Sequence, residues 1–238
     1  FWIGFNMLDP VLGKNKPLRR AISYGMDRQR FIDIFYAGRG KVAHGVINPL
    51  MISYDPKVKE YGYAEYNVEK AKALLVEAEK VHGGKIPPLK VAMSGTGTFY
   101  RQYGQYLQKR FNDIGLEVEL QFMDWPTYLE KQNKRDLQIF TAGSVMSIPD
   151  SEDMLQMFYS KNWSPGSNSF NYKNKDFDKL YEKVMVMDDS PERRELYREM
   201  EQIVLEDCPA AFTCHRIIYR IHHDWFGNYK QAAFIHGK

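Results

Sequence analysis

Three acidic residues lie close enough together in the sequence to act as paired carboxylates: Asp150, Glu152 and Asp153. Such a pair can exchange protons with a substrate as general acid and general base. The same three residues also suit the first turn of a helix, where acidic side chains interact favourably with the helix dipole. The helix interpretation is the stronger one. We therefore do not expect an enzyme, a view that the absence of a GxSxG nucleophile motif supports.

Histidine and cysteine spacing predicts neither a metal site nor a cofactor. The sequence contains no HExxH and no CxxC arrangement. The adjacent His222 and His223 would point to opposite faces of a strand, which is unfavourable for chelation by both. Cys208 and Cys214 would lie roughly 20 Å apart in an extended segment, which is too far for a disulfide. We expect both cysteines to be free and buried.

Composition excludes several other classes of protein. The net charge is only +3 over 238 residues, and no block of Lys or Arg is present, so nucleic acid is not an expected partner. No apolar run approaches the ~20 residues needed to cross a bilayer. Because the sequence starts at Phe1 rather than Met and shows no signal peptide, we interpret it as a processed protein or an excised piece.

Helices are predicted where apolar residues recur at helical spacing behind a good capping residue. The helix capped by Asp27 should bury Phe31, Ile34 and Phe35 and stop at Gly38. The predicted helices start at Pro17, after Asp27, after Asn67, at Phe99, at Pro126 and after Ser190.

Strands are predicted at residues 89–93, 116–122 and 137–142, with helices between them, and a last strand at 210–221. This alternation predicts an α/β fold with a largely parallel sheet flanked by helices. Ligands of such sheets bind at the carboxyl ends of the strands. The loops at 94–98 and 143–147 should open there on the same edge. The first contains a lone GxG, which is too weak to indicate a nucleotide.

Five segments, in order along the chain, resemble motifs of the extracytoplasmic solute-binding proteins of family 5. These proteins bind peptides, dipeptides or nickel for ABC importers. The segments are NKPLRRAISYGMDRQRFIDIFYAGRGKVAHGVINP (15–49), YNVEKAKALLVEA (66–78), IGLEVELQFMDWPTYLEK (114–131), NKDFDKLYEK (174–183) and LEDCPAAF (205–212).

The resemblance implies a periplasmic-binding-protein-like (type II) fold and a two-lobed protein. Residues 1–238 correspond to a single C-terminal lobe, and residues 1–5 and 225–238 would be crossover segments to a missing N-terminal lobe. The implied partners are that lobe, a peptide or small-molecule ligand and the permease complex of an ABC importer. The implied location is periplasmic or otherwise extracytoplasmic, with possible tethering to the membrane through the missing part.

The loop after the third predicted strand departs from the family pattern. In peptide-binding relatives it reads G-W-x-x-D-[YN]-x-D-P-x-N-F-L, and the Asp after GWxx binds the peptide's amino terminus. Here Gly143, Asp150 and Leu155 fit the pattern, whereas Ser144 replaces the Trp and Ser147 replaces the Asp. We expect Arg101 to be a partner for a ligand carboxylate. The expected ligand contacts are Ser94, Thr96, Arg101, Ser144, Val145, Met146, Ser147 and Asp150.

Three functions remain open at this point. The chain could bind oligopeptides or a related small organic solute for import. Because Ser147 offers only a neutral hydrogen bond, the ligand could instead lack an amine and be a sugar, an opine-like compound or a metal chelate. The chain could also act alone as an interaction module.

Overall fold

The computed structural model describes residues 1–219 and 221–228, and its largest feature is a five-stranded sheet. Strand β3 pairs in parallel with β4 and with β5, whereas β1 lies antiparallel between β5 and β6. Since β6 is antiparallel to β1, it runs in the same direction as β5, and four strands of the five share one direction. The prediction of a largely parallel sheet is confirmed. In spatial order the strands are β4 (Val118–Phe122), β3 (Leu89–Met93), β5 (Ile139–Ala142), β1 (Trp2–Phe5) and β6 (Ala210–Phe212).

Helices cover both faces of this sheet. On one face, α1 to α4 pack around Leu18, Leu107 and Phe111. On the other, α7 and α8 pack around Phe158 and Phe177. The α-helices of the described residues are α1 (Lys16–Tyr24), α2 (Arg28–Tyr36), α3 (Val68–His82), α4 (Thr98–Asp113), α5 (Trp125–Asn133), α6 (Glu152–Leu155), α7 (Lys175–Val184) and α8 (Pro191–Asp207), and short 3-10 helices lie at Pro56–Lys59, Gln156–Phe158 and Ser160–Asn162.

Side-chain capping sets the start of most of the predicted helices. Asn15, Asp27, Asn67 and Ser190 each accept a hydrogen bond from a backbone N–H in the first turn of the helix that follows. Strand β4 begins two residues later than predicted, because the N–H of Leu116 still donates to the carbonyl of the preceding helix at 3.0 Å.

Two sequence predictions are wrong in detail. Ile34 is 54% exposed, because the buried face of α2 passes through Arg28, Phe31 and Ile32. The last predicted strand divides at Thr213 into β6 and β7 (Cys214–Arg216), and β7 pairs with β2 (Gly40–Val42) in a separate sheet. His222 and His223 lie outside any strand, and Arg220 lies outside the described residues.

Strand β1 is the element that sequence reasoning missed. Residues 1–5 were interpreted only as a crossover segment, yet Trp2–Phe5 is a fully buried inner strand. Ile3 packs into the core on one face of the sheet and Trp2 into the core on the other. A side chain at Gly4 has no room, because its Cβ would lie 2.4 Å from the ring of Phe140. That residues 1–5 cross over to a missing lobe stays a prediction. The same prediction for residues 225–238 concerns mostly residues outside the described part of the chain.

A buried arginine joins the helical layer to this sheet. The Arg28 guanidinium donates to the carbonyl oxygens of Phe212 (2.6 Å), Ser23 (2.9 Å) and Ala64 (3.2 Å) and to the Ser23 hydroxyl (2.7 Å). Burial lowers the pKa of Arg28 to about 10, so its charge persists at neutral pH. Arg28 therefore connects α1, the loop before α3 and strand β6.

We predict that Arg28→Met lowers the free energy of unfolding by about 3 kcal/mol or more, because each buried carbonyl left without a donor costs about 1–3 kcal/mol. Urea denaturation measures this change. Arg30→Met, at an exposed position of the same helix, is the matched control and should stay within about 0.5 kcal/mol of the unmodified protein. Equal losses in the two variants would contradict the role given to Arg28.

Candidate functional site

Two adjacent cavities open along one edge of the sheet, one at the carboxyl ends of β3 and β5 and the other at those of β5 and β6. Trp2, Ser144 and Val145 line both, and the Ser144–Val145 segment is here called the wall between them. The first, here called the serine cavity, has a volume of about 390 Å³ and is lined by Ser94, Ser144, Ser147, Ser167, Ser169 and Asp153, among others. The second, the methionine cavity, has a volume of about 290 Å³ and is lined by Met51, Met146, Met154, Trp2, Phe212 and Arg216, among others.

Strand pairing places the wall between these cavities. Trp2 of β1 is opposite Ala142 at the end of β5 and opposite Phe212 at the end of β6. The segment that follows β5 therefore starts next to Trp2, which lies between the carboxyl ends of β5 and β6. A Cβ at Gly143 would overlap the ring of Phe1, so a larger residue here would require that ring to move.

The structure brings together part of the predicted site. Ser94 from the loop after β3 lines the serine cavity together with Ser144, Val145 and Ser147 from the loop after β5. The two loops thus open on one edge of the sheet, as the strand order predicted. Met146 lines the methionine cavity. Whether any of these residues contacts a ligand stays a prediction.

Thr96 and Arg101 lie outside both cavities. The Arg101 Nε donates to the Thr96 carbonyl oxygen at 3.0 Å, and the guanidinium lies 5.7 Å from the centre of the Phe122 ring. Both residues are exposed at the start of α4. Arg101 is therefore held on the outside of this helix, and the structure gives no support for a contact between it and a carboxylate in either cavity.

Asp150, also a predicted ligand contact, has partners within the protein. Its carboxylate accepts hydrogen bonds from Arg193 (2.6 Å), Tyr197 (2.8 Å) and the Glu152 N–H (2.9 Å). Partial burial opposes ionisation, but these hydrogen bonds outweigh burial and lower the pKa of Asp150 below its ordinary value. The arrangement fixes the loop to α8 and leaves little capacity for a ligand.

Sequence reasoning missed several residues of the cavities. Asp153 was interpreted as a first-turn acid, yet its Oδ2 accepts a hydrogen bond from the Ser147 N–H at 2.8 Å and it lines the serine cavity. Trp125 lines the same cavity and stacks on Tyr128 with a ring separation of 5.5 Å. Met51 comes from a loop about ninety residues before Ser144. No spacing rule joins segments so far apart, and only the folded sheet brings them together.

The described residues contain no group of three or more His, Cys, Asp or Glu side chains that could hold a metal ion. Cys208 and Cys214 are buried and free, as predicted. Burial, followed by nearby positive charge, lowers the pKa of His215 to about 4, so this residue of the methionine cavity is neutral at pH 7. No helix in the described part of the chain is long and apolar enough to cross a membrane.

A buried carboxyl holds the far wall of the methionine cavity. Glu201 of α8 is 3% exposed, and its Oε1 accepts a hydrogen bond from the Ile47 N–H at 2.7 Å. The same loop supplies Val46 and Met51 to the cavity. Burial raises the pKa of Glu201 to about 7, although hydrogen bonds from two backbone N–H groups of the loop oppose this shift.

We predict that raising the pH from about 5 to about 8 lowers the free energy of unfolding of the unmodified protein more than that of Glu201→Gln. The folded-state pKa of Glu201, about 7, lies above its ordinary value of 4.5. The unfolded chain therefore releases this proton first, and the cost of ionising the buried group is complete only above the folded pKa. The pH-dependent difference should reach about 3 kcal/mol. Urea denaturation at several pH values measures it, and identical pH profiles for the two proteins would refute it.

Comparison with known proteins gives a consistent result. The family model described as bacterial extracellular solute-binding proteins, family 5 Middle, matches residues 1–166. The oligopeptide-binding protein OppA of Bacillus subtilis is 26% identical over 216 residues, which cover 89% of this chain and 39% of OppA. The dipeptide-binding protein of Escherichia coli is 26% identical over 223 residues, which cover 92% of this chain and 40% of that protein.

Solved structures share the fold. The oligopeptide-binding protein AppA of Bacillus subtilis, in complex with a nonapeptide, matches 90% of this chain and 44% of its own with a TM-score of 0.76 and 27% identity. HbpA2 of Haemophilus parasuis matches 90% of this chain and 42% of its own with a TM-score of 0.81 and 23% identity, a likeness of fold alone. The chain thus spans about two fifths of the length of the curated relatives it matches.

Proposed function

Because this chain belongs to the bacterial extracellular solute-binding proteins of family 5, we propose that it is the C-terminal, ligand-binding lobe of a two-lobed protein that captures peptides for an ABC importer. The protein would act outside the cytoplasmic membrane and deliver its ligand to a permease complex without changing it chemically. The observation on which this proposal depends is the pair of cavities at the carboxyl ends of β3, β5 and β6 in a chain related to peptide-binding proteins.

The geometry of the cavities supports an extended ligand. Each has a volume in or near the range of small-molecule sites. They share the wall Ser144–Val145, so a short peptide could lie across this wall and place one residue on each side. The names of the relatives OppA, AppA and the Escherichia coli protein refer to oligopeptides or dipeptides. We therefore favour a peptide over a sugar, an opine-like compound or a metal chelate.

The surface around the methionine cavity supports a second lobe. Leu50 is 85% exposed, Val145 is 55% exposed and Ile218 is 60% exposed, and all three line this cavity. Apolar side chains grouped in this way are usually covered by another surface. We propose that a second lobe covers this surface, in preference to an interaction module acting alone.

Native mass spectrometry of the complete gene product, purified from its own cells, tests the two-lobed architecture. We predict a polypeptide longer than 238 residues that retains a small molecule with the mass of a peptide. A species of 238 residues that retains nothing would overturn the two-lobed proposal.

Peptide binding at the wall between the cavities is tested with synthetic di- and tripeptides built from alanine, leucine and phenylalanine. We predict that at least one of them raises the melting temperature of the complete gene product, because a ligand stabilises the folded state that binds it. Val145→Trp should abolish this rise, since Val145 lines both cavities and the larger side chain would take up space where they adjoin. Thr96→Trp, on a loop outside both cavities, is the control and should retain it.

Two results would refute peptide binding at this wall. The first is a melting temperature that no peptide raises in the unmodified protein. The second is a rise that persists undiminished in Val145→Trp.

A further inference from the structure

One face of helix α8 contacts both loops that line the cavities. Arg193 and Tyr197 donate hydrogen bonds to the Asp150 carboxylate in the loop after β5, at 2.6 and 2.8 Å. One turn further along the helix, Glu201 accepts a hydrogen bond from the Ile47 N–H at 2.7 Å. Residues four positions apart lie on the same face of a helix. A single helix face therefore holds both loops.

A second set of contacts holds the far end of the loop that meets Glu201. Residues 43–53, here called the cavity loop, line one side of the methionine cavity. The Arg198 Nε of α8 donates to the Ser53 carbonyl oxygen at 3.0 Å, and the hydroxyls of Ser53 and Ser151 lie 2.5 Å apart. The end of the cavity loop is thus joined to α8 and to the loop after β5, whereas its middle is held by Glu201.

The fit between the cavity loop and Glu201 leaves no free space. A Cβ at Gly45 would overlap the Glu201 carboxyl and would lie 3.0 Å from the side chain of Val58. Gly45 also lines the methionine cavity. The backbone of the cavity loop therefore rests directly on the carboxyl, and a change there is passed to the lining of the cavity.

The electrostatic neighbours of Glu201 in the described part of the chain include no cation. Asp55, which follows the cavity loop, adds a negative charge, and Tyr54 contributes an uncharged phenol. Arg198, on the same helix, forms its ion pair with Glu195. The charged form of Glu201 is thus stabilised by N–H groups of the cavity loop, and burial outweighs them and raises its pKa to about 7.

His44 of the cavity loop does not supply a compensating charge. Its electrostatic neighbours are Lys59 and Arg28 rather than Glu201. Burial, followed by these two positive charges, lowers the pKa of His44 below its ordinary value of 6.5, so the ring is mostly neutral at pH 7. Glu201 therefore changes its charge in the neutral range without a cation beside it.

Ionisation of Glu201 opposes the observed position of the cavity loop. A buried carboxylate without a cation loses the hydration that stabilises its charge. Movement of the loop away from α8 admits water to the carboxylate and restores part of that hydration. The neutral carboxyl carries a much smaller cost of burial, so it favours the position in which the loop lines the methionine cavity.

From these contacts we propose that Glu201 is a positioning residue for ligand binding: its neutral carboxyl holds the cavity loop against α8, and its ionisation releases the loop and weakens peptide binding. The inference rests on the proposed function, because it concerns a peptide that occupies the methionine cavity. Glu201 acts through the cavity loop and is not among the residues that line either cavity.

The direction of the pH dependence follows from the two positions of the loop. With the loop in place the pKa of Glu201 is about 7, whereas a carboxyl exposed to water has its ordinary value of 4.5. Between these values the held position binds more protons than the released one, so it loses relative stability as the pH rises through 7. Peptide affinity should therefore be highest in acid and fall towards pH 8.

Isothermal titration of the complete gene product, with the di- or tripeptide that gives the largest thermal shift, measures this dependence. The unmodified protein should bind about threefold or more weakly at about pH 8 than at about pH 5.5, because only molecules with the loop in place are competent. Glu201→Gln keeps an acceptor for the Ile47 N–H but cannot ionise, so it should lose this dependence. Glu199→Gln, at an exposed position of the same helix, is the matched control and should retain it. Titration of the peptide itself is common to all three proteins.

The position of the cavity loop is tested without a change of charge. Gly45→Ala places a methyl group against the Glu201 carboxyl. The loop should then lie further from α8, and the peptide should bind about threefold or more weakly at about pH 5.5. Gly84→Ala, where a Cβ meets no atom within 4 Å, is the control and should bind as the unmodified protein does.

The possible outcomes separate the two proposals. A merely structural role of Glu201 changes the free energy of unfolding with pH and leaves the dissociation constant unaffected. Equal pH dependence of the dissociation constant in the unmodified protein and in Glu201→Gln, or undiminished binding by Gly45→Ala, therefore overturns the positioning role while peptide binding stands. If the unmodified protein binds none of the peptides at either pH, the proposed function fails and the positioning role fails with it.

Discussion

The antiparallel insertion of β1 between β5 and β6 is the constraint on which the rest of the structure depends. Without it the parallel strands β4, β3 and β5 would end at an unpaired edge, and β6 would have no neighbour in the sheet. Its four residues contribute to the cores on both faces. Gly4 permits this close fit, because a side chain there would clash with the ring of Phe140.

The same insertion determines the chemistry of the site. Trp2 is paired on both sides, so the carboxyl end of β5 lies beside the end of β6 and the start of β7. The Ser144–Val145 wall therefore separates a cavity that contains Asp153 from one that contains Arg216. These groups belong to distant parts of the sequence, and each is fixed by a neighbouring loop or strand rather than by an ion pair. The fold thus leaves one charge of each sign accessible to a ligand.

The parts of the fold that depend on local rules could be predicted from the sequence. Strand β3 and the capped starts at Asn67 and Ser190 follow from side chains within a few residues of each element. The shared edge of the loops after β3 and β5 followed from strand order alone. The five resembling segments gave the family and the periplasmic-binding-protein-like fold, both of which the comparisons confirm.

What could not be predicted depends on contacts between distant segments. Strand β1 has four residues and no alternating pattern, and it is stable only between two partners. Asp153 has the sequence environment of a helix-capping acid, and its place in a cavity depends on how the loop from Gly143 returns towards Trp125. Thr96 was expected in the site because of its loop and Arg101 as a partner for a carboxylate, but both are exposed and bond to each other outside the two cavities.

A crystal structure of the complete gene product with a bound peptide tests the central claim most directly. The account predicts a peptide that lies across Ser144–Val145 and occupies both cavities. A peptide that binds elsewhere and leaves both cavities empty would contradict it.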